Sequence, residues 1–354
     1  MEIENSEKNG AVSFAELLEW DVYILRLMGM PSMIGIFSQR ELNGKWWEGG
    51  PVLIICGILI TICMLQVHTI SRVFHDEFSY VVVIGASIVP DLTSIVKIIR
   101  LWTKRVELYN ILQGIGVMWE FTRSTHSITT EMAETARRTK LLTKYYAIGV
   151  GVMCIVYMIQ PYSLTLADYS NREINDSFTY SANVFPFNFP YKIDSFTVYI
   201  ISVTYQQLGA VAVCIIWASC DTLYAQITFH VSVQFMVLAN TLQEIVNNCG
   251  NSCVDRKIEI ELKNIIRKYH QLFTCCNSIQ IFFNPIIFFS IMSNAISLCC
   301  CAYRLNTNVT NGHWEEMPKE IFALISISAQ TMIFCICADT LTDSVIMLTF
   351  LAFY

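Results

Sequence analysis

The sequence is too poor in charge for a soluble globular protein. It has 354 residues, of which 54% are hydrophobic and only 15% are charged. Soluble domains are about half apolar but about a quarter charged, so the shortage of charge is the stronger departure. The formal net charge of −6 provides no basic surface for nucleic acid. These numbers favour a membrane protein and exclude a nucleic-acid-binding one.

The N-terminal segment, residues 1–50, does not resemble a secretory signal. Its first twenty residues contain five glutamates and a single lysine, the reverse of the charge that a signal peptide carries. Residues 21–37 are apolar but include Arg26 and Pro31. This pattern predicts a cytoplasmic segment with a helix lying at the membrane interface, rather than a helix that crosses.

Six apolar stretches follow, each long enough to cross a bilayer as a helix of about 20 residues. They are 49–71, 79–102, 145–167, 195–220, 280–303 and 321–338, and all but the second lack charge. A further apolar run, 345–354, comes after the polar residues 339–344. Its ten residues would cover only about 15 Å at 1.5 Å per residue, so we expect either the start of another helix or the absence of that helix.

Residues 218–279 are predicted to form helices beside the membrane. The sequence after Asp221 stays apolar beyond the expected membrane boundary, and such a helix must bury itself against other helices. We therefore predict an all-α membrane protein with six transmembrane helices, a seventh being missing or partial, and a cytoplasmic helical anchor region. The predicted divisions are 1–50, spans one to four (51–217), the anchor region (218–279), spans five and six (280–340) and a truncated tail (341–354).

The distribution of lysine and arginine predicts a cytoplasmic N-terminus. With that orientation eighteen basic residues lie in inner segments and five in outer ones, as the positive-inside rule requires. Two glycosylation sequons, at Asn175 and Asn308, both fall in outer segments. The two observations agree on the same topology.

Asp91 is the most distinctive polar residue inside a predicted span. A carboxylate at mid-helix is unfavourable by about 2.5–3.5 kcal/mol on insertion scales, so it should face protein or water. One interpretation is a polar contact at the floor of a pocket or gate. The other is a structural hydrogen bond to Thr93, to Ser94 or to another helix.

The sequence gives no pattern for catalysis or a cofactor. Cys249 and Cys253 have a spacing seen in zinc sites, but a second cysteine pair or a nearby histidine is lacking, which favours a loop with two free thiols. An enzyme would need a cluster of histidine, serine or carboxylate residues, and a transporter repeated halves. We expect neither, and no metal or other cofactor.

Short motifs occur in order along nearly the whole chain. They are RLMGMP (26–31), IVKIIRLWTKRVELYNIL (95–112), YIISVTYQQ (199–207), DTLYAQITFHVSVQFMVL (221–238), YHQL (269–272), SLCCCAYRL (297–305) and AQTMIFCICADTLTDS (329–344). In these motifs and their spacing the chain resembles the insect odorant receptors, seven-span channels with a cytoplasmic N-terminus.

The resemblance implies an odorant receptor subunit of the plasma membrane that binds a small volatile and gates a cation channel with a shared co-receptor. It implies a hetero-oligomer of four subunits and a role in anchoring or assembly for Asp221, His230, Gln234 and His270. It places the pocket in the outer halves of spans two, three, four and six. The candidate ligand contacts are Tyr80, Val83, Ile84, Ser87, Met153, Tyr157, Met158, Tyr199, Val203 and Gln206.

Three alternatives follow from the same residues. The first is a truncated subunit without channel activity, because the family's last span lines its ion pathway and has no counterpart in this sequence. A gustatory receptor of the same superfamily is the second. A G-protein-coupled receptor is the third, but it would reverse the charge bias and place both sequons in the cytoplasm.

Overall fold

A computed structural model describes residues 14, 18–28, 49–74, 78–124, 130–171, 182–248, 255–312, 314 and 317–353 of the chain. Within these residues the secondary structure is helical and contains no strand. The helices with described bounds are α1 (Glu19–Leu27), α2 (Gly50–Val73), α3 (Phe78–Thr103), α4 (Arg105–Ser124), α5 (Thr130–Asn171), α6 (Phe196–Asn248), α7 (Asp255–Asn311) and α8 (Met317–Phe353).

Six of these helices, α2, α3 and α5–α8, are long and apolar enough to cross a membrane. The six predicted spans and the all-α class are therefore confirmed. Helix α6 has 53 residues and α7 has 57, which correspond to about 80 Å at 1.5 Å per residue. A bilayer core is about 30 Å thick, so both helices continue well beyond it.

Helix α6 is the centre of the fold and packs against all seven other named helices. Nearly every side chain from 216 to 239 is buried. The physical reason is the composition of this stretch, where apolar and small polar residues occupy every face, so that no face is suited to water. The other helices surround α6 and cover it.

Helix α1 covers the bundle, and its predicted place at the inner membrane interface stays a prediction. Phe14, Leu18, Val22, Leu25 and Met28 are buried in the main hydrophobic core, and α1 packs against α6. Their spacing of three or four residues gives α1 one apolar face, and α6 provides the surface that buries it. Residues 29–37 lie outside the described residues.

The apolar run near the end of the sequence does not begin a separate helix, so the first of the two expectations for it was wrong. Helix α8 continues without a break from Met317 to Phe353. The polar residues of 339–344 do not interrupt it, because the hydroxyls of Thr342 and Ser344 donate to the carbonyls of Ala338 and Thr340 within the same helix. Leu348 is buried in the main core.

Candidate functional site

A small cavity lies between α3, α5, α6, α7 and α8, beneath the segment 184–186 that precedes α6. We call it the central cavity, and its volume is about 80 Å³. Apolar and aromatic side chains form most of its wall. They include Met153, Tyr157, Phe185, Val213, Trp217, Ala323 and Ile327.

Three of the ten predicted ligand contacts line the central cavity: Ser87, Met153 and Tyr157. Asp91 lines it as well. These residues come together because α3 and α5 both present them toward α6. The other seven predicted contacts, Tyr80, Val83, Ile84, Met158, Tyr199, Val203 and Gln206, are not among the lining residues.

Tyr199 and Val203 lie in a second hydrophobic cluster with Phe187 and Ile62. The Tyr199 hydroxyl donates a hydrogen bond of 3.1 Å to the Pro161 carbonyl. Ile84 is fully buried, Tyr80 and Val83 are half-buried on α3, and the Met158 carbonyl accepts a hydrogen bond from Gln207. None of these residues lines the central cavity, and their role as ligand contacts stays a prediction.

Gln206 holds the segment that covers the central cavity. Its Oε1 accepts hydrogen bonds from the backbone N–H groups of Val184 (2.7 Å) and Phe185 (2.9 Å). Its Nε2 donates to Asn183 Oδ1 at 3.0 Å. Since Val184 and Phe185 both line the cavity, Gln206 acts by positioning them rather than by facing the cavity itself.

Three charged residues line the same cavity and were missed by the sequence analysis. Arg304 and Glu320 form an ion pair of 2.9 Å in which the Glu320 side chain is 1% exposed. Lys319 Nζ donates to the Val184 carbonyl at 3.1 Å and lies 4.8 Å from the centre of the Tyr157 ring. All three lie in residues 304–320, between the predicted spans 280–303 and 321–338. The signal that could have identified them is their position in the sequence, since they adjoin the end of the fifth predicted span and the beginning of the sixth.

Asp91 combines the two interpretations given to it. It is 1% exposed and lines the central cavity, while its Oδ2 accepts a hydrogen bond of 3.2 Å from Gln66 on α2. Gln66 also donates to Ser87 Oγ at 3.1 Å. Thr93 and Ser94 are not its partners, because their hydroxyls donate to backbone carbonyls of α3.

A buried polar network lies next to the cavity and joins four helices. Asp221 on α6 accepts hydrogen bonds from Lys97 Nζ (2.7 Å), Tyr146 Oη (2.9 Å) and Gln330 Nε2 (2.6 Å). Lys97 and Asp221 have no solvent-exposed side-chain surface. The ion pair and the two further donors satisfy the carboxylate, as a buried charge requires. Asp221, which the resemblance assigned to anchoring or assembly, thus makes its contacts within the chain.

Trp217 connects the central cavity with this polar network. Its side chain lines the cavity, and its Nε1 donates to Ser94 Oγ at 3.1 Å. The Lys97 Nζ lies 5.4 Å from the centre of a Trp217 ring, within reach of a cation–π contact. A group entering the cavity would therefore touch the side chain that borders the buried ion pair.

The other residues assigned to anchoring differ widely in exposure. His230 is buried between the rings of Phe14 and Trp119, with ring centres 5.3 and 5.0 Å away. Gln234 accepts a hydrogen bond of 2.9 Å from Thr122. His270 is exposed on α7. Only His270 of these presents its side chain on the surface.

The predicted glycosylation sites and thiol pair are mostly beyond the described chain. Asn175, Cys249 and Cys253 lie outside the described residues. Asn308 is in the last turns of α7 and is 8% exposed, so a glycan there would require this end of α7 to open; its glycosylation stays a prediction. Among the described residues no cluster of histidine, cysteine or carboxylate could hold a metal ion.

One comparison with known proteins identifies a family, and another identifies a similar fold. No curated protein sequence matches the chain. The olfactory receptor OR5 from the insect Machilis hrabei has a similar structure, with a TM-score of 0.68, 11% identity, and coverage of 95% of this chain and 82% of that one. The same receptor in complex with eugenol gives a TM-score of 0.72 and 11% identity, covering 95% and 83%. At this identity the likeness establishes the fold alone.

A family model described as 7tm odorant receptor matches residues 79–353. Because that match includes most of the length of the chain, the chain belongs to the odorant receptor family.

Proposed function

We propose that this chain is an odorant receptor subunit whose ligand occupies the central cavity and shifts the closed–open equilibrium of a cation channel. As a member of the odorant receptor family it is a multi-pass membrane receptor and not an enzyme. The observation that carries the proposal is the position of Trp217, which lines the cavity and borders the Lys97–Asp221 pair. A ligand and the four-helix network thus meet at one side chain.

The size of the central cavity limits the ligand. At about 80 Å³ it is far below the 300–1,000 Å³ of sites for drug-sized molecules. A small volatile that buries about 200 Å² would gain on the order of 5 kcal/mol, before the loss of translational and rotational freedom on binding. We therefore expect weak binding of a small molecule. The eugenol complex of the similar Machilis hrabei receptor supports a small organic ligand.

The polar groups of the cavity favour a ligand with one hydrogen-bonding group. Ser87 and Asp91 lie on one side, and Arg304 with Glu320 on another. The charged groups are already engaged with Gln66 or with each other, so a ligand need not carry a charge. An alcohol, ketone or ester satisfies these conditions, with its apolar part against Met153 and Ile327.

Gating requires that the ligand stabilise the open state more than the closed one. Trp217 is suited to couple ligand binding to the channel equilibrium, because its Nε1 donates a hydrogen bond to Ser94 Oγ while its ring borders Lys97. Movement of the indole would alter the packing of α3 against α6 at the position where Asp221 joins α5 and α8. This gives the ligand a physical connection to the relative placement of four helices.

We further propose that the receptor lies in the plasma membrane with its N-terminus in the cytoplasm and assembles with the family's co-receptor. The bias of basic residues supports the orientation. An exposed apolar row on α7, formed by Leu262, Ile266, Tyr269 and Phe273, supports assembly. Its spacing of three or four residues places these side chains on one face of the helix, where a partner helix would cover them.

The test is expression of the full chain with and without the co-receptor, followed by recording of currents evoked by a panel of small volatiles. The proposal requires a current that depends on both subunits. The alternative, a subunit without channel activity, would give no current with any volatile while a volatile still raises the melting temperature of the purified chain. Absence of both effects across the panel would contradict ligand binding.

A further inference from the structure

A second cavity, larger than the first, lies between α1, α5 and α6 and has a volume of about 420 Å³. We call it the lateral cavity. Along α5 its lining extends from Lys140 to Ile155, about 22 Å at 1.5 Å per residue. It shares Cys214 with the wall of the central cavity but is otherwise separate. The proposed odorant site does not use it.

The lateral cavity opens toward the region that lipid would occupy. Ile148 and Ile155 line it and are 51% and 55% exposed. Between them the lining is formed by small or apolar residues, including Val150, Gly151 and Val211. An elongated apolar channel at the lipid-facing side of a helix bundle suits a hydrocarbon chain, which gains free energy from burial without needing polar partners.

One end of the lateral cavity is basic. Lys140 and Lys144 line it near the beginning of α5, and Lys144 is exposed. Arg137 is exposed one turn earlier. This end of α5 is the one predicted to face the cytoplasm, and basic pockets between membrane helices on that side bind anionic lipid head groups. The apolar channel therefore suits the acyl chain of an anionic lipid, and the basic end suits the head group of the same lipid.

The length of the lateral cavity agrees with a phospholipid as its occupant. One leaflet contributes about 15 Å of a hydrocarbon core that is about 30 Å thick. The lining along α5 exceeds this by the depth of a head-group layer, which places the lysines beside the phosphates. The carboxyl group of Asp21 on α1 also lines the lateral cavity. Burial raises its pKa to about 7, which weakens its repulsion of an anion near neutral pH.

We propose that the lateral cavity binds one anionic phospholipid of the cytoplasmic leaflet, with an acyl chain along α5 and the phosphate at Lys140 and Lys144. The proposal rests on the proposed orientation of the chain but not on odorant binding or channel activity. Since Asp21, Tyr23 and Ile24 form the wall contributed by α1, the bound lipid also holds α1 against the bundle. The receptor thus has a lipid site distinct from its ligand site.

Two glycines of α5 provide a matched test. Gly151 lines the lateral cavity and Gly149 does not, and a Cβ atom built on either one meets no atom within 4 Å. Gly151→Phe places a ring in the channel, whereas Gly149→Phe places the same ring elsewhere on α5. Each variant is the full chain, reconstituted in phosphatidylcholine vesicles that contain a minor amount of phosphatidylserine with a photoactivatable acyl chain.

We expect cross-links on peptides of α5 and α6 that fall at least about fivefold in Gly151→Phe and stay unchanged in Gly149→Phe, since a filled channel excludes the chain. The double variant Lys140→Gln, Lys144→Gln should lose the preference for phosphatidylserine over an equally labelled phosphatidylcholine. Because both lysines are at the end of the cavity, this variant tests the proposal even if Gly151→Phe fails to fold.

Three results would overturn the proposal. Equal cross-linking in the two glycine variants would show that the acyl chain lies elsewhere. Equal labelling by the two lipids in the unaltered chain would remove the role of the lysines. Displacement of the labelled lipid by inorganic phosphate alone would indicate a phosphate site rather than a lipid site. None of these measurements depends on odorant-evoked current, so failure of the proposed function would be recognised separately.

Discussion

Lys97 on α3 and Asp221 on α6 form an ion pair of 2.7 Å in which neither side chain has exposed surface. Such a pair is weakly stabilising as a whole, but removal of one partner leaves an uncompensated buried charge. The pair also lies beside the Trp217 ring, so any change in the pair alters the wall of the central cavity. The pair is thus both a structural constraint and a route between the cavity and the helices.

The first prediction concerns the two partners of this pair. Lys97→Met or Asp221→Leu alone should lower the free energy of unfolding by about 3–5 kcal/mol, because each leaves a lone buried charge. The double variant should recover much of that loss. The measurement is the thermal midpoint of the purified receptor in detergent. The exposed pair Lys263–Glu259 is the control, and its loss should change stability by about 1 kcal/mol or less. Equal midpoints for the single and double variants would contradict the pairing.

The second prediction concerns the hydrogen bond from Trp217 Nε1 to Ser94 Oγ. Trp217→Phe keeps an aromatic ring in the cavity wall but removes the donor, and Ser94→Ala removes the acceptor. Each should shift the volatile concentration for half-maximal current by about two- to tenfold, since a hydrogen bond contributes about 0.5–1.5 kcal/mol. The double variant should shift it no further than the single ones. Fully additive shifts would show that the two residues act separately.

The third prediction concerns the segment that Gln206 holds over the cavity. Gln206→Ala leaves the N–H groups of Val184 and Phe185 without their acceptor, which is unfavourable by about 1–3 kcal/mol for buried groups. Hydrogen exchange of residues 182–195 should become faster. Gln206→Glu is the comparison variant, because it keeps an acceptor oxygen for both N–H groups while it replaces the donor to Asn183 with a carboxylate oxygen. Unchanged exchange in Gln206→Ala would exclude the positioning role.

The fourth prediction is a pH dependence from Asp21. Burial is the main cause that raises its pKa from 3.8 to about 7. Between these values the folded chain keeps a proton that the unfolded chain releases, so stability falls as pH rises from about 4 to about 7 and is level above that. The full effect is on the order of 4 kcal/mol at 1.36 kcal/mol per pKa unit. Asp21→Asn should remove this slope from a plot of melting temperature against pH. An unchanged slope in that variant would assign the dependence to another group.

The spans were predictable because their signal is local. A stretch without charge that is long enough for a bilayer needs no knowledge of its neighbours. Five such stretches, together with the apolar but charged stretch 79–102, gave six of the helices. The continuity of α8 was missed because the polar residues 339–344 were interpreted as a break. In the structure Asp339 and Asp343 face outward, so a helix accommodates them without interruption.

The cavity was only partly predictable because its lining is assembled from distant parts of the chain. Ser87, Met153 and Tyr157 were selected from helices expected to meet, and they do line it. Gln206 was selected on the same grounds, but its rotation about α6 directs it to the backbone of Val184 and Phe185. Helix rotation and the path of residues 182–195 depend on tertiary packing, which one sequence does not reveal.

The most direct test of the account is whether filling the central cavity abolishes the response to a volatile. Ala323 on α8 lines the cavity, whereas Ala338 on the same helix is exposed. With the co-receptor present and surface expression equal, Ala323→Leu should eliminate the odorant-evoked current and Ala338→Leu should preserve it. Equal currents from the two variants would contradict a ligand site between α3, α5, α6, α7 and α8.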